Sequence, residues 1–211
     1  MTDLFSNEEV VLCNGDVVYL ADFYSEVKAA GLYQKFNHQL AWRQESIVLY
    51  GKKVLSPRLQ AWYGDKQAEY TYSGLTMTPL PWHIELLNIK NDIQQYSGGS
   101  FNSVLANYYR DGNDSMGWHS DDETELGVQP LIASLTLGQT RKFVLKHKTS
   151  GEKLQLNLQS GSLLLMSGQL QSNWQHCLPK TKKIVAGRIN LTYRQINADE
   201  TNANNANATN T

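Results

Sequence analysis

The chain is poor in cysteine and in long apolar runs. It has two cysteines, Cys13 and Cys177, among 211 residues. A disulfide framework is therefore excluded as the basis of the fold, and a reducing compartment is expected. No run approaches the ~20 apolar residues that a membrane helix needs, so we expect no membrane partner. Residues 1–6 lack the basic and apolar regions of a secretion signal, which predicts a cytoplasmic protein.

Charge is nearly balanced overall but unevenly distributed along the chain. The formal net charge is −1, yet residues 1–50 contain three Lys/Arg and seven Asp/Glu, whereas residues 141–194 contain ten Lys/Arg and one acidic residue. A basic region on a neutral protein is typical of a surface that binds a polyanion. It is equally typical of a solvated sheet face whose edges are guarded by lysines. The sequence alone leaves both interpretations open.

Composition and length indicate one domain with a sizeable core, since 41% of the residues are hydrophobic and 18% are charged. We expect a loose lead-in over residues 1–17 and a single domain over residues 18–196. Within that domain, helical signals occupy about residues 18–100 and strand signals about residues 101–196. Residues 197–211 are low in complexity and have nothing to bury, which predicts a disordered tail.

Two helices are predicted in the first half of the chain. One is indicated by apolar residues at helical spacing before Gly31, namely Leu20, Phe23, Tyr24 and Val27. The other covers residues 82–96 and ends at Gly98. Short strands are predicted at residues 47–50 and 69–72, and residues 52–65 are predicted to form a loop.

The second half predicts a succession of short strands. They are expected at residues 104–109, 132–137, 142–147, 153–158, 162–166, 174–178 and 188–194. Many short strands separated by glycine-bearing turns favour a sandwich or a barrel. The predicted fold class is therefore mainly β with flanking helices (α+β).

A histidine and a carboxylate lie two residues apart at His119 and Asp121, on a segment that reads as extended. Residues with this spacing on an extended backbone point to the same face. A lone pair of this kind is a weak signal, but His176 follows far downstream in another predicted strand. Two histidines and one carboxylate with open positions left over describe the facial triad of non-haem Fe(II) oxygenases.

The last predicted strand alternates strictly. Arg188, Asn190, Thr192 and Arg194 share one face, and apolar residues take the other. Two arginines need anionic partners if they are buried, and a dicarboxylate would supply them through forked hydrogen bonds. The alternative is an ordinary basic strand that faces solvent.

These residues together resemble the AlkB family of Fe(II)- and 2-oxoglutarate-dependent dioxygenases, whose core is a double-stranded β-helix, or jelly roll. The resemblance covers about residues 48–195. It rests on Asn-x-Tyr before His-x-Asp, on the distal histidine, and on the final Arg-x-Asn-x-Thr-x-Arg strand. Residues 57–65, 72–75 and 176–179 look most like the members that repair DNA.

The resemblance implies that His119, Asp121 and His176 are the catalytic ligands of Fe(II). It also implies the family reaction, in which O2 and 2-oxoglutarate are consumed and an N-methyl group leaves a base as formaldehyde. The expected substrates are 1-methyladenine and 3-methylcytosine in DNA, with RNA as a further substrate. An RNA or protein demethylase or hydroxylase with the same chemistry, and a non-catalytic nucleic-acid-binding relative, are the alternatives.

For the cosubstrate, the resemblance implies that Arg188 holds the distal carboxylate of 2-oxoglutarate with help from Tyr109. Arg194 and Asn107 would steady the end that chelates the metal, and Asn190 would line the same pocket.

A methyl group on the pairing edge of a base is hidden in a duplex, so the enzyme must act on single strands or flip the nucleotide out. Tyr70 and Tyr72 share a strand face and could stack on the extracted base. Glu123 could face its exocyclic amino group, and Asp122 is the alternative.

By the same resemblance, Tyr50 corresponds to an apolar finger that fills the gap in a duplex. The alternative is a strand-end tyrosine that packs on the domain edge. Arg58, Lys52 and Lys53 would meet phosphates, as would the lysines of residues 146–148 and 180–183.

The remaining residues of interest are predicted to be structural. His38 and His83 lie on helical segments without ligand spacing, Trp118 is expected in the core, and Cys177 is expected to be a packing thiol. We further expect a monomer, associated with the nucleoid in a bacterium or nuclear in a eukaryote.

Overall fold

The computed structural model describes residues 9–13, 16–49, 51–68, 70–72, 75–183 and 185–197. In the first half of the chain the strands are β1 (Glu9–Leu12), β2 (Val17–Leu20), β3 (Ser46–Leu49), β4 (Lys52–Leu55), β5 (Leu59–Gly64), β6 (Tyr70–Tyr72) and β7 (Leu75–Met77). In the second half they are β8 (Ser103–Tyr109), β9 (Met116–His119), β10 (Ile132–Gly138), β11 (Arg141–His147), β12 (Lys153–Leu158), β13 (Leu163–Met166), β14 (Trp174–Leu178) and β15 (Arg188–Arg194). The helices are α1 (Glu26–Gln39), α2 (Ile84–Ser97) and α3 (Leu170–Asn173), with a 3-10 turn at Thr124–Leu126.

Two antiparallel sheets form the framework. The larger has the strand order β1-β2-β13-β10-β15-β8-β5, and the smaller has the order β12-β11-β14-β9. The hairpins β3-β4 and β6-β7 are separate two-stranded units. A mainly β fold with a few helices, arranged as two facing sheets, is the jelly roll that the sequence predicts.

The central strand β15 shows how the sequence directs its two faces. Ile189, Leu191 and Tyr193 are fully buried and belong to the largest apolar cluster, and the Tyr193 hydroxyl donates to the Leu86 carbonyl oxygen of α2 at 2.9 Å. The alternate residues, Arg188 to Arg194, are buried on the other face, between the sheets. The predicted alternation of β15 is confirmed.

Helices α1 and α2 cover the outer face of the larger sheet. Phe36 of α1 and Ile89 of α2 are fully buried or nearly so, in the same cluster as residues of β8, β10 and β15. Helix α2 begins at His83, whose Nδ1 accepts a hydrogen bond from the Glu85 N–H, and it ends at Gly98 in the left-handed conformation. A side-chain cap and a C-terminal glycine are the ordinary boundaries of a helix. His83 is therefore structural, as predicted.

The space between the sheets is apolar at one end and polar at the other. Phe143, Leu145 and Leu158 of the smaller sheet pack against a cluster that includes Ile132 and Leu164 of the larger sheet. This packing fixes the distance between the layers. The polar end holds the histidines and arginines that the sequence singled out.

The first 30 residues differ from their predicted structure. Residues 9–12 are not a loose lead-in but strand β1, paired with β2. Leu20 ends β2, where it is paired with Leu163 of β13, so the predicted helix over residues 20–27 is wrong. Helix α1 begins later, after the cap at Ser25. The pairing of β2 with a buried strand outweighs the local helical spacing, as tertiary contacts often do.

Most of the elements predicted after residue 80 are present, whereas one predicted loop before it is wrong. Each of the seven predicted strands is present, and the second predicted helix is confirmed as α2. The predicted loop at residues 52–65 is wrong, because it contains β4 and β5. Tyr50 and residues 198–211 of the predicted tail lie outside the described residues. Among the helices in the described ranges, none combines the length and the apolar character that a membrane crossing requires.

Candidate active site

Three predicted metal ligands converge at the polar end of the inter-sheet space. His119 ends β9, Asp121 follows two residues later, and His176 lies in β14 directly opposite His119 in the strand register. The Nε2 atoms of His119 and His176 are 3.9 and 3.8 Å from the two Asp121 carboxylate oxygens. One potential ligand atom from each residue lies within 4.8 Å of the others, and no second group of three potential ligands is found in the described part of the chain.

The environment keeps Asp121 and His176 in the protonation states that a metal requires. Burial would raise the pKa of Asp121, but the adjacent Arg194 guanidinium, which also donates a hydrogen bond to the carboxylate, outweighs it and holds the pKa below its ordinary value. Burial, together with the neighbouring His119, lowers the pKa of His176 to about 3. The site therefore consists of one carboxylate and two imidazoles with His176 neutral, which is the donor chemistry of a non-haem Fe(II) centre.

Neighbouring groups orient the ligands. His119 directs Nδ1 at the Gly117 carbonyl oxygen at 2.9 Å, which leaves Nε2 to face Asp121. Arg194 donates from Nη2 to Asp121 Oδ1 at 2.6 Å. The Asp121 main-chain N–H donates to Gln171 Oε1 at 2.9 Å. Sequence reasoning missed Gln171, because a single glutamine on a short helix carries no pattern.

A deep cationic pocket lies beside the three ligands. Arg188 is 1% exposed, its Nη2 donates to Thr136 Oγ1 at 2.9 Å, and its Cζ atom is 5.3 Å from the centre of the Tyr109 ring. Arg188 Nε and Nη1 are buried without a partner among the described residues. Burial lowers the pKa of Arg188 to about 10. A buried cation with unused donors is a site for an anion, and a carboxylate of 2-oxoglutarate fits it.

The other predicted cosubstrate residues line the same cavity. Its walls include Asn107 and Tyr109 of β8, the inward residues of β15, and the three metal ligands. Asn190 donates from Nδ2 to Ser134 Oγ at 2.7 Å and to the Leu135 carbonyl oxygen at 3.1 Å, which fixes its side chain to β10. The geometry thus brings together Asn107, Tyr109, Arg188, Asn190 and Arg194, as the resemblance implies.

Arg58 does not occupy the position predicted for it. Its side chain is not at the surface among phosphates; the residue is 3% exposed and donates from Nε to Asn107 Oδ1 at 2.8 Å. Gln60 donates to the same oxygen at 3.3 Å. The reason is the strand register, because β5 pairs with β8 and places Gln60 opposite Asn107. The predicted phosphate contact of Arg58 is therefore corrected to a contact with the cosubstrate pocket wall.

The two acidic residues after Asp121 differ in their surroundings. Asp122 is exposed, and its Oδ2 is 3.4 Å from Lys148 Nζ. Glu123 Oε2 is buried and has no hydrogen-bond partner among the described residues. Of the two, Glu123 has the unused acceptor. Tyr70 and Tyr72 lie in β6, but their side chains are not among those described, and Tyr50 is outside the described residues.

Trp118 and Cys177, which are neighbours of the metal ligands in the sequence, were both predicted to be buried. Trp118 precedes His119 and was expected in the core, but it is 45% exposed. Trp118 neighbours His119 in β9, so its side chain lies on the opposite face of the strand from the metal ligand. Cys177 is buried, as predicted.

Residues 16–194 match the model of the 2OG-Fe(II) oxygenase superfamily. The chain is 40% identical over 200 residues to alpha-ketoglutarate-dependent dioxygenase alkB homolog 3 of Bos taurus, covering 90% of this chain and 67% of the relative. It is 38% identical over 184 residues to DNA oxidative demethylase ALKBH2 of Homo sapiens, covering 82% of this chain and 70% of the relative.

The chain thus spans about two thirds of the length of the curated relatives it matches. A solved structure of OsALKBH1 superposes with a TM-score of 0.61 at 18% identity, covering 87% of this chain and 100% of that one. At this identity the superposition supports the jelly-roll fold alone.

Proposed function

The chain belongs to the AlkB family of Fe(II)- and 2-oxoglutarate-dependent dioxygenases, and we propose that it removes N-linked methyl groups from nucleic-acid bases by oxidation. The expected lesions are 1-methyladenine and 3-methylcytosine in DNA, with RNA as a further substrate. The observation that carries the proposal is the convergence of His119, Asp121 and His176 beside the Arg188 guanidinium, whose Nε and Nη1 have no partner among the described residues.

The residues present fit both groups that the family uses. His119, Asp121 and His176 would hold Fe(II), and Arg188 with Tyr109 would hold one carboxylate of 2-oxoglutarate. With O2 and 2-oxoglutarate, the iron supplies the oxidising power to hydroxylate a methyl C–H bond. The protein orients the reactants and excludes water, since Asp121 and His176 are buried and Arg188 lies deeper still at 1% exposure.

For the base, we propose contacts from the segments that flank the metal site. Tyr70 and Tyr72 of β6 would stack on the extracted base. Glu123 would accept hydrogen bonds from its exocyclic amino group and offset its positive charge, and the buried unpartnered Oε2 atom supports this role. Tyr50 would act as the finger in a duplex, and Arg58 would act on the pocket through Asn107 rather than on phosphates.

Lysines on the smaller sheet and after it support binding to a polyanion. Lys142 and Lys153 are exposed, and Lys146 lies opposite Lys153 in the strand register. Like charges placed opposite each other in a sheet are unfavourable unless an anion offsets them. We further propose that the protein acts as a monomer in the compartment that contains the DNA.

The proposal is tested with oligonucleotides that carry a single 1-methyladenine or 3-methylcytosine. Single-stranded and duplex DNA and matched RNA are incubated with Fe(II), ascorbate and 2-oxoglutarate, and the bases are then quantified by mass spectrometry. We expect demethylated base with the wild-type protein and none above background with His119→Ala. If no substrate in the panel loses its methyl group, base demethylation is not the function.

A further inference from the structure

Gln171 is a buried glutamine outside the set of metal and cosubstrate residues, yet it contacts one of them directly. It is 2% exposed, and its Oε1 accepts the main-chain N–H of Asp121 at 2.9 Å. Asp121 is itself 3% exposed, so this N–H has no access to water. An unpaired buried N–H is unfavourable, and the structure therefore depends on Gln171 to satisfy it.

Gln171 has two further contacts, one from its side-chain nitrogen and one from its main-chain oxygen. Its Nε2 faces Met166 Sδ at 3.9 Å, and its main-chain carbonyl oxygen accepts from Lys148 Nζ at 2.8 Å. Lys148 also lies 3.4 Å from Asp122. Because Nε2 faces Met166, the Oε1 atom of the same side-chain amide faces the Asp121 N–H, and the Lys148 contact holds the backbone of Gln171.

The helix that carries Gln171 is anchored from the N-terminal strands. Asp16 accepts the Gln169 N–H at Oδ2 at 3.1 Å and the Ser167 N–H at its main-chain oxygen at 2.8 Å. Gly168 has a φ of +57°, and a Cβ there would lie 2.0 Å from Asp16 Oδ1. The positive φ favours glycine, and a larger residue would also displace the Asp16 carboxylate. Residues far from the metal ligands in sequence thus fix α3 in place.

Asp121 is consequently held at two points. Arg194 holds its carboxylate at 2.6 Å, and Gln171 holds its backbone. The direction of a short carboxylate side chain depends on the backbone from which it projects. We propose that Gln171 is a positioning residue for the metal site, whose amide oxygen fixes the Asp121 backbone so that the carboxylate faces His119 and His176. This inference rests on the proposed function only in that the three residues hold a divalent metal.

Two substitutions distinguish the positioning role of Gln171 from a role in packing alone. Gln171→Met retains nearly the same volume and an apolar contact with Met166, but it removes the acceptor. Gln171→Glu retains the acceptor and adds a buried charge. A positioning role requires the acceptor, whereas a packing role tolerates methionine and is disturbed by the charge.

The experiment measures Co(II) binding to metal-free full-length protein by calorimetric titration and by the visible absorption of the bound Co(II). We expect Gln171→Met to weaken Co(II) binding by about 10–100-fold and to change the absorption spectrum. Gln171→Glu should bind Co(II) at least as tightly as the wild type. Gln155→Met, the same substitution at an exposed position of β12, should leave both readouts unchanged. Thermal unfolding of each metal-free variant shows which ones are folded.

Wild-type affinity in a folded Gln171→Met variant would overturn the inference, as would equal losses in the methionine and glutamate variants. If Gln171→Met does not fold, Gln171→Glu decides alone, because loss of Co(II) binding in that folded variant contradicts a role for the acceptor. If the wild-type protein itself does not bind Co(II), both the metal site and the positioning role of Gln171 are contradicted. If Co(II) binding follows the expected order while no methylated base is repaired, the proposed function fails and the positioning role stands.

Discussion

Arg188 and Arg141 are both buried arginines, and the structure uses them differently. Arg188 makes one hydrogen bond to Thr136 and leaves Nε and Nη1 without partners among the described residues. Arg141 donates to the main-chain oxygens of Asp111 and Asp114 at 3.0 Å each and of Pro179 at 2.8 Å. Arg188 therefore has donors available for an anion, whereas Arg141 uses its donors to stabilise the loop before β9.

This contrast predicts opposite effects of the same substitution. Arg188→Met should leave the free energy of unfolding unchanged or increase it, because the variant no longer buries a charge with unused donors. Arg141→Met should lower the free energy of unfolding by about 1–3 kcal/mol, because carbonyl groups lose their buried donor. Denaturant unfolding of the two variants and the wild type in the absence of 2-oxoglutarate provides the measurement.

Arg188→Met should also abolish the response to the cosubstrate. Binding of 2-oxoglutarate to the folded state raises the Tm of the wild-type protein, and this increase should be lost in the variant. An equal increase in Tm in both proteins would mean that Arg188 does not hold the cosubstrate.

At the scale of elements, the loop between β8 and β9 is stabilised by Asp114. Its carboxylate accepts from Arg110 Nε at 2.7 Å, from Arg110 Nη2 at 2.9 Å and from the Arg110 main-chain N–H at 2.9 Å. Burial would raise the pKa of Asp114, but the hydrogen bonds and charge of Arg110 outweigh it and hold the pKa below its ordinary value. The ionised form is therefore stabilised by folding.

Asp114→Asn should lower the free energy of unfolding by about 2 kcal/mol at pH 7. Because the folded-state pKa is lower than the unfolded-state value of about 3.9, this stabilisation is complete above that value and is lost as the pH falls through the folded-state pKa. The difference between the wild type and the variant should therefore shrink below about pH 4. A difference that stays constant with pH would mean that the charge of Asp114 contributes nothing.

The hairpin β3-β4 is separate from both sheets and leaves Val54 and Leu55 exposed, at 41% and 62%. If Tyr50, which lies between β3 and β4 in the sequence, enters a duplex, Tyr50→Ala should lower activity on methylated duplex DNA by about tenfold more than on the same single strand, since stacking on a base is worth about 1–3 kcal/mol. Val27→Ala, on helix α1 and 85% exposed, serves as the control. Equal losses on both substrates would remove the finger role.

The sequence predicts an element correctly where the spacing of its apolar residues matches the surfaces that the element contacts in the fold. Strand β15 alternates because one face meets helices and the other meets the cavity. Strand β2 was missed because its spacing also fits a helix, and only its pairing with β13 decides between them. The segment of β9 reads as extended at His119 but is not among the predicted strands, because Gly117 and the exposed Trp118 give it no apolar alternation.

The same distinction applies to the candidate site. His119, Asp121 and His176 are predictable because a metal site restricts both residue type and strand face, and the structure places them together. The positions of Arg58 and Gln171 depend on strand register and on a four-residue helix, which a single sequence does not specify. The predicted roles of Tyr50, Tyr70 and Tyr72 remain predictions.

At the scale of the whole molecule, the residues that stabilise the fold and the residues of the candidate site lie at different ends of the space between the two sheets. One end of the inter-sheet space is filled by apolar side chains such as Leu145 and Leu164, and the other end is lined by ligands and charges. Helices α1 and α2 bury the outer face of the larger sheet, so its inner face can carry polar residues. The arrangement accounts for a rigid site with buried, uncompensated cationic donors in a mainly β protein of 211 residues.

The central claim is that oxidation of a base-linked methyl group is coupled to 2-oxoglutarate turnover at the site of His119, Asp121 and His176. It is tested most directly by measuring succinate and formaldehyde in one reaction on single-stranded DNA with 1-methyladenine, beside the same strand without the methyl group. We expect the two products in equal amounts on the methylated strand, little of either on the unmethylated strand, and neither with His119→Ala. Succinate without formaldehyde on the methylated strand, or both products from His119→Ala, would contradict the account.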